Sequence, residues 1–358
     1  MALPYHATQG WKTHAPGSSE NPVARVVLSV MRLAVSTKTF QVAASLAAAA
    51  ALLWFFFRRV SLHEVGAALK TLRLWPVAGA VGLALASYAA RAWRWGMLLE
   101  GAGKPRFRTL AGCTAAGFAT STVLPARLGE LVRPLLLSAR TGLPAAATLA
   151  SIVAERLLDL LTVVFLFAVA LLTGSRGQAM LLRSLAVAAA AVVVLGVALL
   201  VVVKSRERVL ASLSSRARRP WSQRVLSFVQ QLLSSLAFWG SPRHAFELAW
   251  ASLLTWGLAI AQVAVTAPAF GLALSPREAT LVLAVSVVGL AVPTPGGVGG
   301  FHAATQLALV HIPQWPLTTA TAFALVHHAV CFVPVTLIGF GYMLVAGFSF
   351  RRLPVEKP

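Results

Sequence analysis

The stretch "VLPARLGELVRP", residues 123 to 134, sets Arg127, Glu130 and Arg133 three residues apart between two long apolar stretches. Further along, "ERLLD" brings Glu155, Arg156 and Asp159. Two guanidiniums beside one acid leave positive charge over, and Arg meets a phosphate with paired donors, so Arg127 and Arg133 read as ligands of an anionic headgroup, with Glu130 beside them. On a helix, Glu155 and Asp159 lie about 40° apart and Arg156 about 100° from Glu155, which makes one mixed-charge face. Two readings stay open for that face. It is either a switching network or a structural ion-pair lock between a broken helix at 125–143 and a helix at 148–173.

Such residues are out of place in this chain. Of 358 residues 58% are hydrophobic and 11% charged, only ten are acidic, and the mean hydropathy is +0.77, which fits an integral membrane protein and no soluble domain. A charge near mid-bilayer costs roughly 2.5 to 3.5 kcal/mol on insertion scales, so buried charges face the bundle interior or a wet cavity and pair with one another. The net charge of +21 would suit nucleic acid, but the basic residues cluster beside the apolar segments, as anionic headgroups and the positive-inside rule favour. Nucleic acid is therefore not an expected partner. Cys113 and Cys331 lie apart within apolar segments and read as small core residues.

The elements that must position these charges form one series that occurs twice. A span (39–57), a basic amphipathic stretch (58–74), a second span (75–99), a short apolar segment (109–124), a Pro and Gly break (125–143) and a third span (144–173) recur as 184–203, 204–239, 243–274, 279–292, 293–312 and 316–347. The short segments are too short to cross a core of roughly 30 Å, and their breaks free backbone groups that need protein or water around them. Both read as re-entrant helix pairs. Each series then crosses three times, so the second lies upside down, the inverted-topology repeat in which interrupted helices mark a transporter's binding site. The expected fold is an all-α polytopic membrane bundle. Its divisions are a disordered tail at 1–37, a transmembrane domain at 38–347 (repeats 39–173 and 184–347) and a tail at 348–358.

Lys and Arg in the loops place both termini in the cytoplasm. Were 109–124 a full span instead, everything before it would flip, and the basic residues at 58–73 would suit that arrangement.

"RAWRW" at 91–95 is an interfacial anchor of snorkelling Arg and belt Trp, or else it turns Arg91 or Arg94 inward onto a headgroup. "PTPGGVGGFH" at 293–302 carries Gly296, Gly297 and Gly299, and a helix starting near Gly300 would aim N–H groups at an anion in the break. It lacks the Walker lysine, so it is no nucleotide loop. His302, His327 and His328 sit in the second-series counterparts of the charged elements, as packing residues or as headgroup and switch residues. Adjacent helical positions diverge by about 100°, and no HExxH or CxxC spacing exists, so neither a metal nor another cofactor is expected.

"RAWRW", "GFATSTVLPARLGELVRPLLLSARTGL", "ASIVAERLLDLL", "PTPGGVGGFH" and "LVHHAVCFVPVTLIG" together resemble the flippase-like domain family, also called the lysylphosphatidylglycerol synthase transmembrane-region family. The resemblance covers most of 75–347. It implies a bacterial inner-membrane protein whose relatives move aminoacylated phosphatidylglycerol or isoprenoid lipids between leaflets. It carries motif roles onto Arg127, Gly129, Glu130, Arg133, Glu155, Arg156, Asp159, Pro295, Gly296, Gly297 and Gly299. One departure is His302, where the family often has Glu. Some relatives fuse this module to a soluble aminoacyl- or glycosyl-transferring domain. With no segment here to hold a catalytic fold, the expectation is a transporter and no enzyme, with membrane lipids and a separate lipid-modifying enzyme as partners.

Overall fold

The computed structural model describes residues 39–124, 129–173, 210, 220–236, 242–292 and 294–346. The tails at 1–37 and 348–358, the expected span at 184–203 and Arg127 lie outside the described residues. Among the described residues the chain is all α-helical. In order the helices are α1 Thr39–Phe57, α2 Leu62–Lys70, α3 Leu74–Leu98, α4 Phe107–Val123, α5 Gly129–Thr141, α6 Ala145–Leu172, α7 Pro220–Leu236, α8 Pro242–Thr266, α9 Pro276–Gly289, α10 Gly300–His311 and α11 Leu317–Val345.

Local chemistry sets the helix ends. Ser275 opens α9 with a capping box: its hydroxyl accepts from the Glu278 N–H at 3.3 Å, and Glu278 Oε2 accepts from the Ser275 N–H at 2.8 Å. Leu124 ends α4 in an extended conformation (φ −81°, ψ 134°), as the residue before Pro125 should. Thr294 does the same before Pro295 (φ −92°, ψ 149°). After it, Gly296, Gly297 and Gly299 take φ of 59°, 69° and 86°, a region that side chains with a Cβ avoid.

Both breaks fall where the sequence places them. α4 and α5 are 17 and 13 residues, and α9 and α10 are 14 and 12, so none exceeds about 26 Å at 1.5 Å per residue. Each pair folds back on itself, α4 on α5 and α9 on α10. The contact is backbone-close. A Cβ on Gly129 would meet the backbone of Ser121, and one on Gly300 would meet the carbonyl of Gly289.

The packing runs in matched pairs. α3 packs on α8, the same element of the other series. α4 packs on α11 as α9 packs on α6, α5 on α6 as α10 on α11, and α7 on α6 as α2 on α11. One apolar core joins Trp95, Leu110, Leu136 and Met343, and another joins Trp256, Val282, Leu309 and Phe323. The two hairpins touch where the Gly296 backbone lies against Thr122 near the end of α4.

Among the described residues, which leave out the expected span at 184–203, fewer helices than the other five expected are long and apolar enough to cross a membrane. By length and composition two are, Pro242–Phe270 and Leu317–Val345, and a third if α1 and α2, bent by 79°, are one broken span. α6 has the length, 28 residues, but carries Glu155, Arg156 and Asp159; α3, 25 residues, carries Arg91, Arg94 and three Trp. Charge and indole, not length, set these two apart.

Candidate functional site

Four guanidiniums and two carboxylates meet where α3, α5 and α6 converge against α8. Arg91 and Arg94 come from the last turns of α3, Arg133 from α5, and Glu155, Arg156 and Asp159 from α6. Asp159 holds Arg94 at 2.6 Å through Oδ1 and Arg91 at 2.8 Å through Oδ2. Glu155 receives Arg133 Nη1 at 3.0 Å on Oε1 and lies 3.4 Å from Arg91 and 3.7 Å from Arg94. Arg156 stands 3.6 Å from Asp159 and 3.7 Å from Glu155, with 45% of its side chain exposed. Glu155 and Arg94 are fully enclosed.

Neutral donors and ring faces complete the cluster. Trp256 on α8 donates its indole N–H to Asp159 Oδ1 at 3.1 Å, and Arg94 Nη1 donates to Ser252 Oγ at 3.0 Å. The guanidinium of Arg133 lies 4.0 Å from the centre of the Trp95 ring, and Trp95 is itself fixed by an N–H donated to Ser151 Oγ at 2.9 Å. A cation over a desolvated indole gains about 2 kcal/mol. A buried ion pair needs such added bonds, because desolvation offsets the Coulomb gain.

A small, half-open pocket lies beside this network, lined by Thr114, Ser121, Glu130, Arg133 and Arg156 among others. Of the residues expected to hold a headgroup, Glu130 and Arg133 line it, and Arg127 lies outside the described residues. Arg156, expected in the switch network, lines it too. Arg91 and Arg94 turn inward, so the belt reading of "RAWRW" does not fit Arg94 or Trp95, both fully buried, whereas Trp93 is 45% exposed. Neither Arg91 nor Arg94 lines the pocket. Both brace the two carboxylates.

The second-series residues form a separate cluster of stacked rings. His302 stacks on His328 with ring centres 4.3 Å apart, and His328 on Phe332 at 4.5 Å. His328 Nε2 bonds the Gly296 carbonyl at 2.9 Å, and His302 Nδ1 accepts the Gly299 N–H at 3.3 Å. The His302 ring thus caps α10 itself and takes one of the N–H groups expected to face an anion. His327 turns the other way, to Gln262 at 3.1 Å. These residues do not join the Arg and Glu network.

Sequence reasoning missed Ser151, Ser252, Trp256 and Gln262. The signal was present on α8, where Ser252, Thr255, Trp256 and Gln262 recur at helical spacing in an otherwise apolar segment.

The model of the lysylphosphatidylglycerol synthase transmembrane region matches residues 42–339, which contain every site residue just described. The chain belongs to that family. Among curated proteins, Glycosyltransferase AglD of Haloferax volcanii is similar, 28% identical over 317 residues, which cover 78% of this chain and 50% of that protein. The chain therefore spans about half the length of this relative. As a member of the synthase transmembrane-region family it is a membrane protein, and its charged network sits within the family's matched region.

Proposed function

We propose that this protein moves a lipid between membrane leaflets, with the headgroup held at the Arg133 pocket. The observation that carries the reading is a pocket walled by Arg133, Arg156 and Glu130 inside an apolar bundle, next to a hairpin of helices of 17 and 13 residues. A soluble ligand needs no such place. A lipid needs a polar path for its headgroup while its tails stay in hydrocarbon. The matched packing of the two series supports an inverted repeat whose halves rock about the α3–α8 contact and expose the pocket to each leaflet in turn. In this reading 38–347 is the transmembrane domain, both termini are cytoplasmic, the membrane is the bacterial inner membrane, and the lipid is anionic, aminoacylated or isoprenoid. Glu155, Arg156 and Asp159 form the network that rearranges, and His302, His327, His328, Gly296, Gly297 and Gly299 form the opposing half of the path.

The test is headgroup accessibility in proteoliposomes made with lipids of the native membrane. Translocation above empty vesicles with lipid mass unchanged is the expected result. No translocation of any of these lipids contradicts it. The name of the Haloferax relative favours a second reading, an enzyme that modifies a lipid headgroup with Glu130 or Asp159 as general base. Mass spectrometry of lipids from deletion and overexpression membranes separates the two, since an enzyme leaves a product of altered mass.

A further inference from the structure

Two residues that line the pocket, Arg133 and Thr114, carry buried donors with no hydrogen-bond partner. Arg133 is 4% exposed and spends Nη1 on Glu155, while its Nε and Nη2 have no hydrogen-bond partner. Thr114, 1% exposed and on the facing wall of α4, has a hydroxyl that is likewise buried without a partner. Orphaned buried donors are rare in folded proteins and mark places where an acceptor belongs. The Nε and Nη2 groups form one edge of the guanidinium, the edge that grips two oxygens of one oxyanion side by side. Trp95 under the guanidinium, pinned to Ser151, keeps that edge from turning away.

The charge balance has the same sign. Arg91, Arg94, Arg133 and Arg156 face Glu155 and Asp159, and with Glu130 counted there are still four cations to three anions. Arg156, its side chain 45% exposed, adds a further cation to the same pocket. Two in-plane donors with a hydroxyl from the opposite wall suit a tetrahedral oxyanion better than a planar carboxylate. An ammonium would find donors where it needs acceptors.

We infer that this pocket is a phosphate subsite, in which the Nε and Nη2 edge of Arg133, the Thr114 hydroxyl and Arg156 take the phosphate of a lipid headgroup. The phosphate chemistry stands on the orphaned donors; its attachment to a lipid rests on the translocation reading. An aminoacyl, glycosyl or isoprenoid portion then lies outside these contacts, and the phosphate is what every transported lipid must share.

The experiment measures binding to the purified full chain in a phosphate-free, uncharged detergent. Three probes are compared: dioctanoyl phosphatidic acid, dioctanoylglycerol and inorganic phosphate. The expected order is phosphatidic acid well above inorganic phosphate, with dioctanoylglycerol at least tenfold weaker than phosphatidic acid. Thr114→Val, which keeps volume, and Arg156→Gln, which leaves the pairs of Arg91, Arg94 and Arg133 in place, should each weaken phosphatidic acid at least threefold and leave dioctanoylglycerol unchanged. Equal binding of phosphatidic acid and dioctanoylglycerol, or full affinity in both variants, overturns the phosphate subsite and leaves lipid translocation standing. Inorganic phosphate binding as tightly as phosphatidic acid, and lost in both variants, keeps the phosphate subsite and removes the lipid from it.

Discussion

Ser87 on α3 donates its hydroxyl hydrogen to the carbonyl of Thr255 on α8 at 2.9 Å, and the two positions are 168 residues apart. The helices themselves start 168 residues apart, at Leu74 and Pro242, so Ser87 bonds its own counterpart in the second series. One step along, the relationship repeats. Trp256 on α8 reaches across to Asp159 on α6 at 3.1 Å, and Tyr88 on α3 reaches across to the carbonyl of Cys331 on α11 at 2.9 Å. Arg94 binds Asp159 at 2.6 Å where, in the other half, the Cys331 thiol points at Gln262 Oε1 at 3.6 Å. The two halves therefore share a frame but not a charge: ionised groups fill one polar centre and neutral groups the other.

That asymmetry puts the electrostatic stakes on the first series. Asp159→Leu leaves Arg94 enclosed without its carboxylate, and loss of about 3 to 5 kcal/mol of stability is expected. Arg94→Met combined with Asp159→Leu should cost less than Asp159→Leu alone. Arg156→Gln, at the exposed rim, should change stability by no more than about 1 kcal/mol. Thermal unfolding of the detergent-solubilised protein measures all three.

Trp95 is expected to set the orientation of Arg133. Trp95→Leu removes the ring face under the guanidinium, and Trp95→Phe keeps it while losing the bond to Ser151. The prediction is a loss of phosphatidic acid affinity of about tenfold in Trp95→Leu, in line with about 1.4 kcal/mol, with most of it retained in Trp95→Phe. Two equally impaired variants would assign Trp95 to packing alone.

The hairpins depend on two missing side chains. Gly129→Ala forces a Cβ into the Ser121 backbone and Gly300→Ala forces one into the Gly289 carbonyl, so both should lower the unfolding temperature sharply. Gly82→Ala and Gly257→Ala meet nothing within 4 Å and sit inside α3 and α8, so these should be neutral or stabilising by up to about 1 kcal/mol.

His302 should behave as a helix cap. Its ring accepts the Gly299 N–H, so His302→Leu is expected to cost about 0.5 to 2 kcal/mol, and His302→Asn, which keeps a side-chain acceptor, less. The same unfolding measurement decides it.

The helix boundaries were legible in the sequence because Pro and Gly act locally. Leu124 and Thr294 are extended because a Pro follows each, and α3 at Leu74–Leu98 matches the expected 75–99 almost residue for residue. The mixed-charge face of "ERLLD" was legible from helical spacing. The direction of "RAWRW" was not, because an inward Arg94 depends on Ser252, 158 residues away, and on how α3 lies against α8. The same holds for His302, whose ring closes on Gly299 only because that Gly takes φ 86°. Spacing fixes which residues share a face, and packing from the other series decides what that face meets.

The most direct test of the account is the rate of phospholipid movement between leaflets in proteoliposomes, wild type against Arg133→Lys. Lysine keeps the charge that Glu155 requires but has no Nε and Nη2 edge. The account predicts a rate at least tenfold lower with an unchanged unfolding temperature. Equal rates would contradict it.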